Sequence, residues 1–407
     1  MLLSTCSRSR PARISQGLVL LVLASLLVAC GEPRVLVVGL DGANWRVLDP
    51  LIDAGHLPNI GRLVREGARA DLDCVPAEPV SPCFCPPVWT TIATGKTTAE
   101  HGIVGIQTPA FKRRARAIWR YAAGEGVSVT TVSWRGTWPS ERYIDYNFSE
   151  PGLDEVAEQY FDVWGSSEHV GRDFFLPLFE PPDLMERLGV LPASGGGPPS
   201  WSPFARDRIA MSSMLELARQ RREQETGPQP RDLTMVTIHS PDKVAHVLWG
   251  NLQHEMYGPF DEQPLLEGAA LWEGPVMLPG PTGWGRIAAP YLEVDEWLGE
   301  LLALRDYHYV VFVSDHGMTR NPGPGISGQH DRFSPEAHDG IFSIHGPGVR
   351  RGAWLGQVTV LDVAPTLAYL LDLPVADDQP GRVIEEAFDP DWLVWKPAYG
   401  NTVPSWD

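Results

Sequence analysis

Five short pieces of this 407-residue chain carry side chains suited to binding divalent cations or attacking an electrophile. They are Asp41-Gly42, Cys85 with Thr94-Gly95 downstream, Asp242 with His246, Asp315-His316-Gly317, and a histidine at position 330 or 338. Singly each is weak, because Asp before Gly is usually a turn and an Asp four residues before a His also describes a capped helix start. Together they are coherent. Asp242 and His246 share one face if the segment is helical, which suits two ligands on one divalent cation. Asp315 and His316 follow an apolar run, and Gly317 permits a tight turn that points both inward. Carboxylate with imidazole is a donor set for zinc, manganese being the alternative. Two such cations held close together stabilise the attacking and non-bridging oxygens of a phosphoryl group during in-line displacement.

The elements that must position these groups are legible as apolar runs. Val35 to Leu40 is a continuous apolar stretch, as in a strand buried on both faces, and Asp41-Gly42 sits at its C-terminal end. Pro58 opens a helical pattern in which Ile60, Leu63 and Val64 share a face and Gly67 ends the helix. Further strands are expected at Val127–Val132, Leu233–Ile238, Tyr309–Val313 and Gly340–Ile344, with helices at Ile118–Ala123 and Tyr291–Leu304 between them. Strands alternating with helices imply an α/β fold with an open, mostly parallel sheet covered on both faces. Ligands gather at the carboxyl ends of such strands, where Asp41, Asp242 and Asp315-His316 fall.

The chain opens with Arg8, Arg10 and Arg13, then an apolar run from Leu18 to Ala29 that ends at Cys30. This is a signal peptide at residues 1–29, too short for a permanent span. Leu27-Val28-Ala29-Cys30 resembles a lipobox, which makes Cys30 the lipidated mature N-terminus. No Asp follows Cys30, which points to export and lipid anchoring in the cell envelope, at the outer membrane facing the periplasm. Removing residues 1–29 takes three Arg and no acid, moving the formal charge from −18 to −21. Nothing here calls for a nucleic-acid polymer as partner. The run Lys112-Arg113-Arg114 with Arg116 reads as a solvated helix face. Residues 30–390 are expected to form the catalytic domain and 391–407 a C-terminal tail. Residues 148–230 and 250–285, rich in Pro, Gly and aromatics, read as insertions capping the open side of the sheet.

Several of these segments resemble the type I phosphodiesterase/nucleotide pyrophosphatase family of the alkaline phosphatase superfamily. Val35 to Gly42 looks like its opening strand, and Pro87 to Gly95 with Glu100-His101-Gly102-Ile103 resembles its nucleophile segment. Ser314 to Met318 is similar to its second metal motif. Gly340-Ile341-Phe342, Gly346-Pro347-Gly348 and Val360 to Leu367 resemble its closing strand and helix. The resemblance covers residues 35–382 apart from the insertions. It implies an alkaline phosphatase-like three-layer sandwich, hydrolysis of small phosphorylated substrates, diesters or monoesters, and two divalent metal ions. One ion would be held by Asp41, Asp315 and His316, the other by Asp242, His246 and a third His. Ser327-Gly328-Gln329-His330 resembles the family's S-G-x-H and favours His330, with His338 as the alternative.

Counting back from Thr94-Gly95 puts the family's nucleophile on Cys85. The same register in the related sulfatases and phosphonate monoester hydrolases holds a Cys oxidised to formylglycine, which would make sulfated substrates an alternative. Those enzymes carry C-x-P-x-R, whereas Cys85-Pro86-Pro87-Val88-Trp89 lacks the Arg. Three readings stay open: a thiolate nucleophile, a formylglycine, or a disulfide partner in a degenerate metal-containing binding protein. Cysteine arithmetic favours a Cys74–Cys83 bridge with Cys85 left over. Asn44 is expected to cap a helix rather than donate to a phosphate oxygen, Lys96 and His101 to be structural near the nucleophile helix, and Trp164, Trp201 and Trp249 to be buried rather than to stack on a nucleobase or sugar.

Overall fold

The computed structural model describes residues 32–74, 83, 85–105, 109–148, 203–224, 227, 229–249, 283–320, 328–330 and 337–406. The signal peptide, Cys30, most of both insertions, Trp164 and Trp201 lie outside the described residues.

In chain order, β1 (Arg34–Leu40) leads to α1 (Trp45–Asp53), α2 (Pro58–Glu66) and β2 (Ala68–Asp73). Then follow α3 (Cys85–Thr94), α4 (Thr98–His101), α5 (Ile118–Gly124), β3 (Ser128–Val132) and β4 (Tyr146–Phe148). The middle of the chain supplies α6 (Pro203–Gln224), β5 (Asp232–Ile238), α7 (Ser240–Leu248), α8 (Gly283–Leu304) and β6 (Tyr309–Val313). A two-stranded ladder of β7 (Thr319–Arg320) and β8 (Gly328–Gln329) precedes β9 (Asp339–His345), β10 (Ala353–Thr359) and α9 (Val363–Leu370). The chain closes with β11 (Val375–Ala376), α10 (Pro390–Trp395) and β12 (Thr402–Val403), the last pairing with β11.

The main sheet has the order β10-β2-β9-β6-β1-β5-β3-β4. Every neighbouring pair is parallel except those involving β9, which runs antiparallel to both β2 and β6. The fold is therefore the α/β class expected, a three-layer sandwich on a mainly parallel sheet. Central β1 shows why it closes. Val35 and Val37 pack on one face with Val88, Trp89 and Ile92 of α3 and Leu367 of α9. Leu36, Val38 and Leu40 pack on the other with Leu48 of α1, Leu63 of α2, Met214 of α6 and Leu298 of α8. Each large side chain so buried contributes about 1.5–3 kcal/mol of transfer free energy, so a polar substitution in β1 disrupts a strand covered on both faces.

Three strands of the main sheet escape the apolar-run criterion. In β2 the sequence Ala-Arg-Ala-Asp-Leu-Asp buries alternate residues only, β4 is three residues long, and β10 is an edge strand that stays mostly open to solvent. Two expectations need correction. The described part of 148–230 includes α6, whose Ala210, Met211, Met214, Leu217 and Ala218 belong to the core rather than to a cap over the open side of the sheet. The basic run at 112–116 is solvated only in part and is not helical beyond Lys112: Lys112 and Arg114 are exposed, whereas the Arg113 guanidinium is nearly buried, donates to Glu141 Oε1 at 2.6 Å and lies over the Trp119 ring. The final segment also returns to the core, where Trp406 stacks on Tyr121 at 4.7 Å.

Candidate active site

The order β6-β1-β5 places the carboxyl ends of three parallel strands side by side, in register at Gly39 with Val313 and at Leu40 with Ile238. Asp41, Asp242 and Asp315-His316 are the residues that follow these ends, so topology brings together groups up to 275 positions apart in numbering, as it does for Asp41 and His316. Gly42 adopts φ +69°, and a Cβ there would lie 3.0 Å from the Asp242 backbone and side chain. Glycine is required by both the turn and the close approach. Asp242 and His246 lie in α7, one turn apart, as their spacing implied. The start of that helix is held from α6: buried Asp207 accepts the His239 N–H at 3.0 Å and the Ser240 N–H at 2.6 Å.

Cys85 begins α3 and is a buried free thiol, its Sγ 3.1 Å from His316 Nε2. Just upstream, Cys74 and Cys83 form a disulfide, which fixes the segment that delivers Cys85. Ligand atoms cluster in three overlapping sets: Asp41, Cys85, Asp315 and His316; Asp242, His246 and His330; Cys85, His316 and His330. His338 belongs to no such set among the described residues, so the geometry brings His330 and not His338 to Asp242 and His246.

The imidazoles are oriented by the backbone. His316 Nδ1 faces the Gly317 carbonyl at 2.7 Å, His246 Nδ1 the Gly328 carbonyl at 2.9 Å, and His330 Nδ1 the Cys83 carbonyl at 2.9 Å. A carbonyl only accepts, so each Nδ1 carries the proton and each Nε2 offers a lone pair to the cluster. This is the arrangement by which metal-binding histidines are held. Asp41 Oδ1, Asp242 Oδ1 and Asp315 Oδ2 are buried and find no hydrogen-bond partner among the described residues. Three buried carboxylates sharing a site cannot all stay ionised unless a cation offsets them. Burial, Asp41 and Asp242 push the Asp315 carboxyl well above the usual carboxylate range. For Asp41, burial and Asp242 push upward, but the His239 hydrogen bond and the His239 and His316 charges outweigh them and lower it. Burial likewise opposes ionisation of Asp242, yet His246, His316 and Lys243 hold it low. Burial, then Asp41, Asp315 and Asp242, push the Cys85 thiol up. Burial and His316 lower His330 to about 3, keeping it a neutral donor. The donor set, the oriented imidazoles and the unpartnered oxygens fit divalent cations.

The remaining expectations divide. Asn44 precedes α1 but its side chain makes no capping bond; both amide atoms are buried without a hydrogen-bond partner. Lys96 is tied to Asp378 at the far end of α3. His101 faces Thr91 Oγ1 at 3.1 Å, and burial with Arg113 and Arg114 lowers it to about 3, so it is structural. Trp249 is core. Four residues at the site escaped sequence reading: Asp207, His239, Lys243 and Arg135. His239 Nδ1 donates to Asp41 Oδ2 at 2.7 Å, and Arg135 Nη2 lies 3.9 Å from the same oxygen. His239 and Lys243 flank Asp242 in sequence, a signal available from the start; Arg135 and Asp207 carried none.

A mainly parallel three-layer sheet with carboxylates, imidazoles and a thiol gathered beyond its central strands defines an alkaline phosphatase-like hydrolase fold. Residues 35–348 match the family model for type I phosphodiesterase / nucleotide pyrophosphatase, and the chain belongs to that family of phosphoric ester hydrolases. No curated protein matches it by sequence. Among solved structures, a phosphonate monoester hydrolase from Silicibacter pomeroyi is similar at 16% identity and TM-score 0.53, covering 89% of this chain and 78% of that one. A Bacteroides thetaiotaomicron sulfatase of glycosaminoglycan metabolism is similar at 16% identity and TM-score 0.53, covering 88% and 77%. Murine ectonucleotide pyrophosphatase/phosphodiesterase 5 with AMP is similar at 15% identity and TM-score 0.49, covering 88% and 100%.

Proposed function

We propose that this phosphoric ester hydrolase cleaves small phosphodiesters or phosphomonoesters through Cys85, with two divalent cations, zinc or manganese. Asp41, Asp315 and His316 would hold one cation; Asp242, His246 and His330 would hold the other. What carries the reading is that three imidazoles present Nε2 to three carboxylates, each of which has a buried oxygen with no hydrogen-bond partner. Cations held there would supply charge that offsets the carboxylates, favours the Cys85 thiolate and screens the phosphoryl oxygens. Cys85 attacks phosphorus, a phosphorus–sulfur bond forms, and the ester oxygen leaves with its electron pair and takes up a proton. Water then cleaves the phosphorus–sulfur bond, releasing phosphate or a phosphate monoester and restoring the thiol.

The Cys74–Cys83 pairing leaves Cys85 free, which supports the nucleophile reading over the disulfide one. Trp89 in the place of the motif's Arg argues for thiolate over formylglycine. Intact mass of protein made in its native host separates the two, because conversion to formylglycine replaces the thiol by an aldehyde. The ligand assignment is tested by Asp315→Ala, which is expected to lower bound metal and abolish hydrolysis of an aryl phosphodiester. Two metals per chain in that variant would sink it. We further place the mature protein on the cell envelope through lipid on Cys30, the specificity determinants in 148–230 and 250–285, and the catalytic domain at 30–390.

A further inference from the structure

The edge of the sheet opposite the carboxylate cluster carries an exposed apolar surface. Among the described residues eight large apolar side chains are exposed, and three of them fall within 394–399: Val394 at 82%, Trp395 at 64% and Tyr399 at 47%. Val394 and Trp395 close α10, none of whose residues is buried, and the Trp392 ring tilts against Trp395 at 5.0 Å. Their place in the fold follows from β9. Because β9 runs antiparallel to β6, its end at His345 lies beside Val310, at the amino ends of the parallel strands. His308, just before β6, donates its N–H to the Arg34 carbonyl at 2.9 Å, which joins that edge to the start of β1. A Cβ on Gly346 would run into the Tyr309 ring, and one on Gly348 into the Trp392 ring, so α10 packs on the same edge. The Asp389 N–H, donating to the Gly348 carbonyl at 2.9 Å, fixes the start of the helix there.

We propose that Val394, Trp395 and Tyr399 dock on the surface of the bilayer that holds the lipid on Cys30, so that the catalytic cluster opens away from the membrane. The inference rests on the lipid anchor proposed above and adds how the anchored domain sits. Cys30 precedes Arg34 by four positions, at most about 14 Å of extended chain, so a lipid there brings the bilayer to the edge on which α10 packs. The cluster lies at the other end of the seven-residue β1, about 20 Å away. Trp and Tyr favour the headgroup zone, where an apolar ring is buried while its N–H or O–H meets water. With the three Arg of the leader removed from a formal charge of −18, the mature protein is strongly acidic, so the surface that fits is neutral phospholipid rather than anionic lipid. A second copy of the chain is a poor occupant. One six-residue helix and Tyr399 offer far less than the roughly 800 Å² per partner that a stable dimer buries. A bilayer needs less, because the anchor makes docking intramolecular.

The test uses the lipidated mature protein in neutral phosphatidylcholine vesicles, with intact mass recording the lipid on Cys30. Vesicles with brominated acyl chains are expected to quench part of the tryptophan emission. Trp395→Phe, which keeps an apolar ring, should lose most of that quenching. Val394→Asp should lose it too while the protein stays on the vesicles through its lipid. Both side chains face solvent, so neither change removes a core contact. A lipidated, vesicle-bound wild type quenched no more than Trp395→Phe would overturn the docking and leave the anchor standing. A mature protein without lipid on Cys30 would overturn the anchor and the docking with it. A dimer in light scattering that Val394→Asp makes monomeric would show that a second copy covers the patch, and would also overturn docking on the bilayer.

Discussion

If hydrolysis runs as proposed, turnover depends on Cys85. Its Sγ lies among three carboxylates and against His316 Nε2, so truncation removes the attacking atom and leaves the surrounding charges in place. Cys85→Ala is expected to keep its metals and lose nearly all hydrolysis, since only transition-state electrostatics remain. Cys85→Ser is expected to keep measurable phosphodiesterase activity, because a hydroxyl between two cations is still deprotonated. Steady-state rates with metal content on the same samples decide both, and full activity in Cys85→Ala would place the nucleophile elsewhere. The third histidine of the second cation is decided in the same way. His330 Nε2 faces Asp242 Oδ1 at 3.9 Å, whereas His338 Nε2 is buried with no hydrogen-bond partner. His330→Ala should lose one metal per chain and His338→Ala neither; the opposite result would exchange their roles.

At the scale of elements, the site depends on how α7 and α3 begin. Asp207 caps α7 from another helix, accepting the His239 and Ser240 N–H groups, which at a helix start have no intrahelical acceptor. Asp207→Ala is expected to cost about 1–3 kcal/mol of stability and to weaken metal retention, because Asp242 and His246 ride on that helix. Denaturant unfolding with and without chelator would show both effects, and a variant with unchanged stability and metal content would refute the role. The bridge Cys74–Cys83 spans a sequence separation of 9 and precedes α3. Replacing both by Ser is expected to lower stability by about 2–3 kcal/mol on the chain-entropy model. Because the Cys83 carbonyl also accepts from His330, activity should fall in the folded variant as well.

For the molecule as a whole, the proposed cations are expected to be coupled to the fold. With the cations removed, three buried carboxylates compete for the protons and imidazoles near them, and the metal-free protein is expected to melt several degrees lower, reversibly on re-addition of zinc or manganese. Thermal melts with and without chelator measure it, and coincident curves would mean that the cluster needs no metal to be stable. The mature protein is expected on membranes through Cys30, and Cys30→Ser should leave it unprocessed or soluble. A processed Cys30→Ser protein that still fractionates with membranes would rule out the lipid anchor.

Residues alone specified the local events: apolar runs that become strands buried on both faces, Asp41-Gly42 turning at the end of β1, and the one-turn spacing of Asp242 and His246. These are short-range consequences of backbone sterics, side-chain period and solvent exclusion, and they survive in any packing. Which groups meet depended on tertiary structure. Only the order β6-β1-β5 makes Asp315, Asp41 and Asp242 neighbours, and only the tertiary structure brings His330, rather than His338, to Asp242 and His246. The basic run at 112–116 and Asn44 were misread for the same reason. Whether Arg113 meets water or Glu141, and whether an amide caps a helix or stays without a partner, depends on segments distant in sequence. Arg135 shows this most plainly: an arginine in a turn has no local signature, and its bearing on Cys85 exists only because β3 ends two strands from β1.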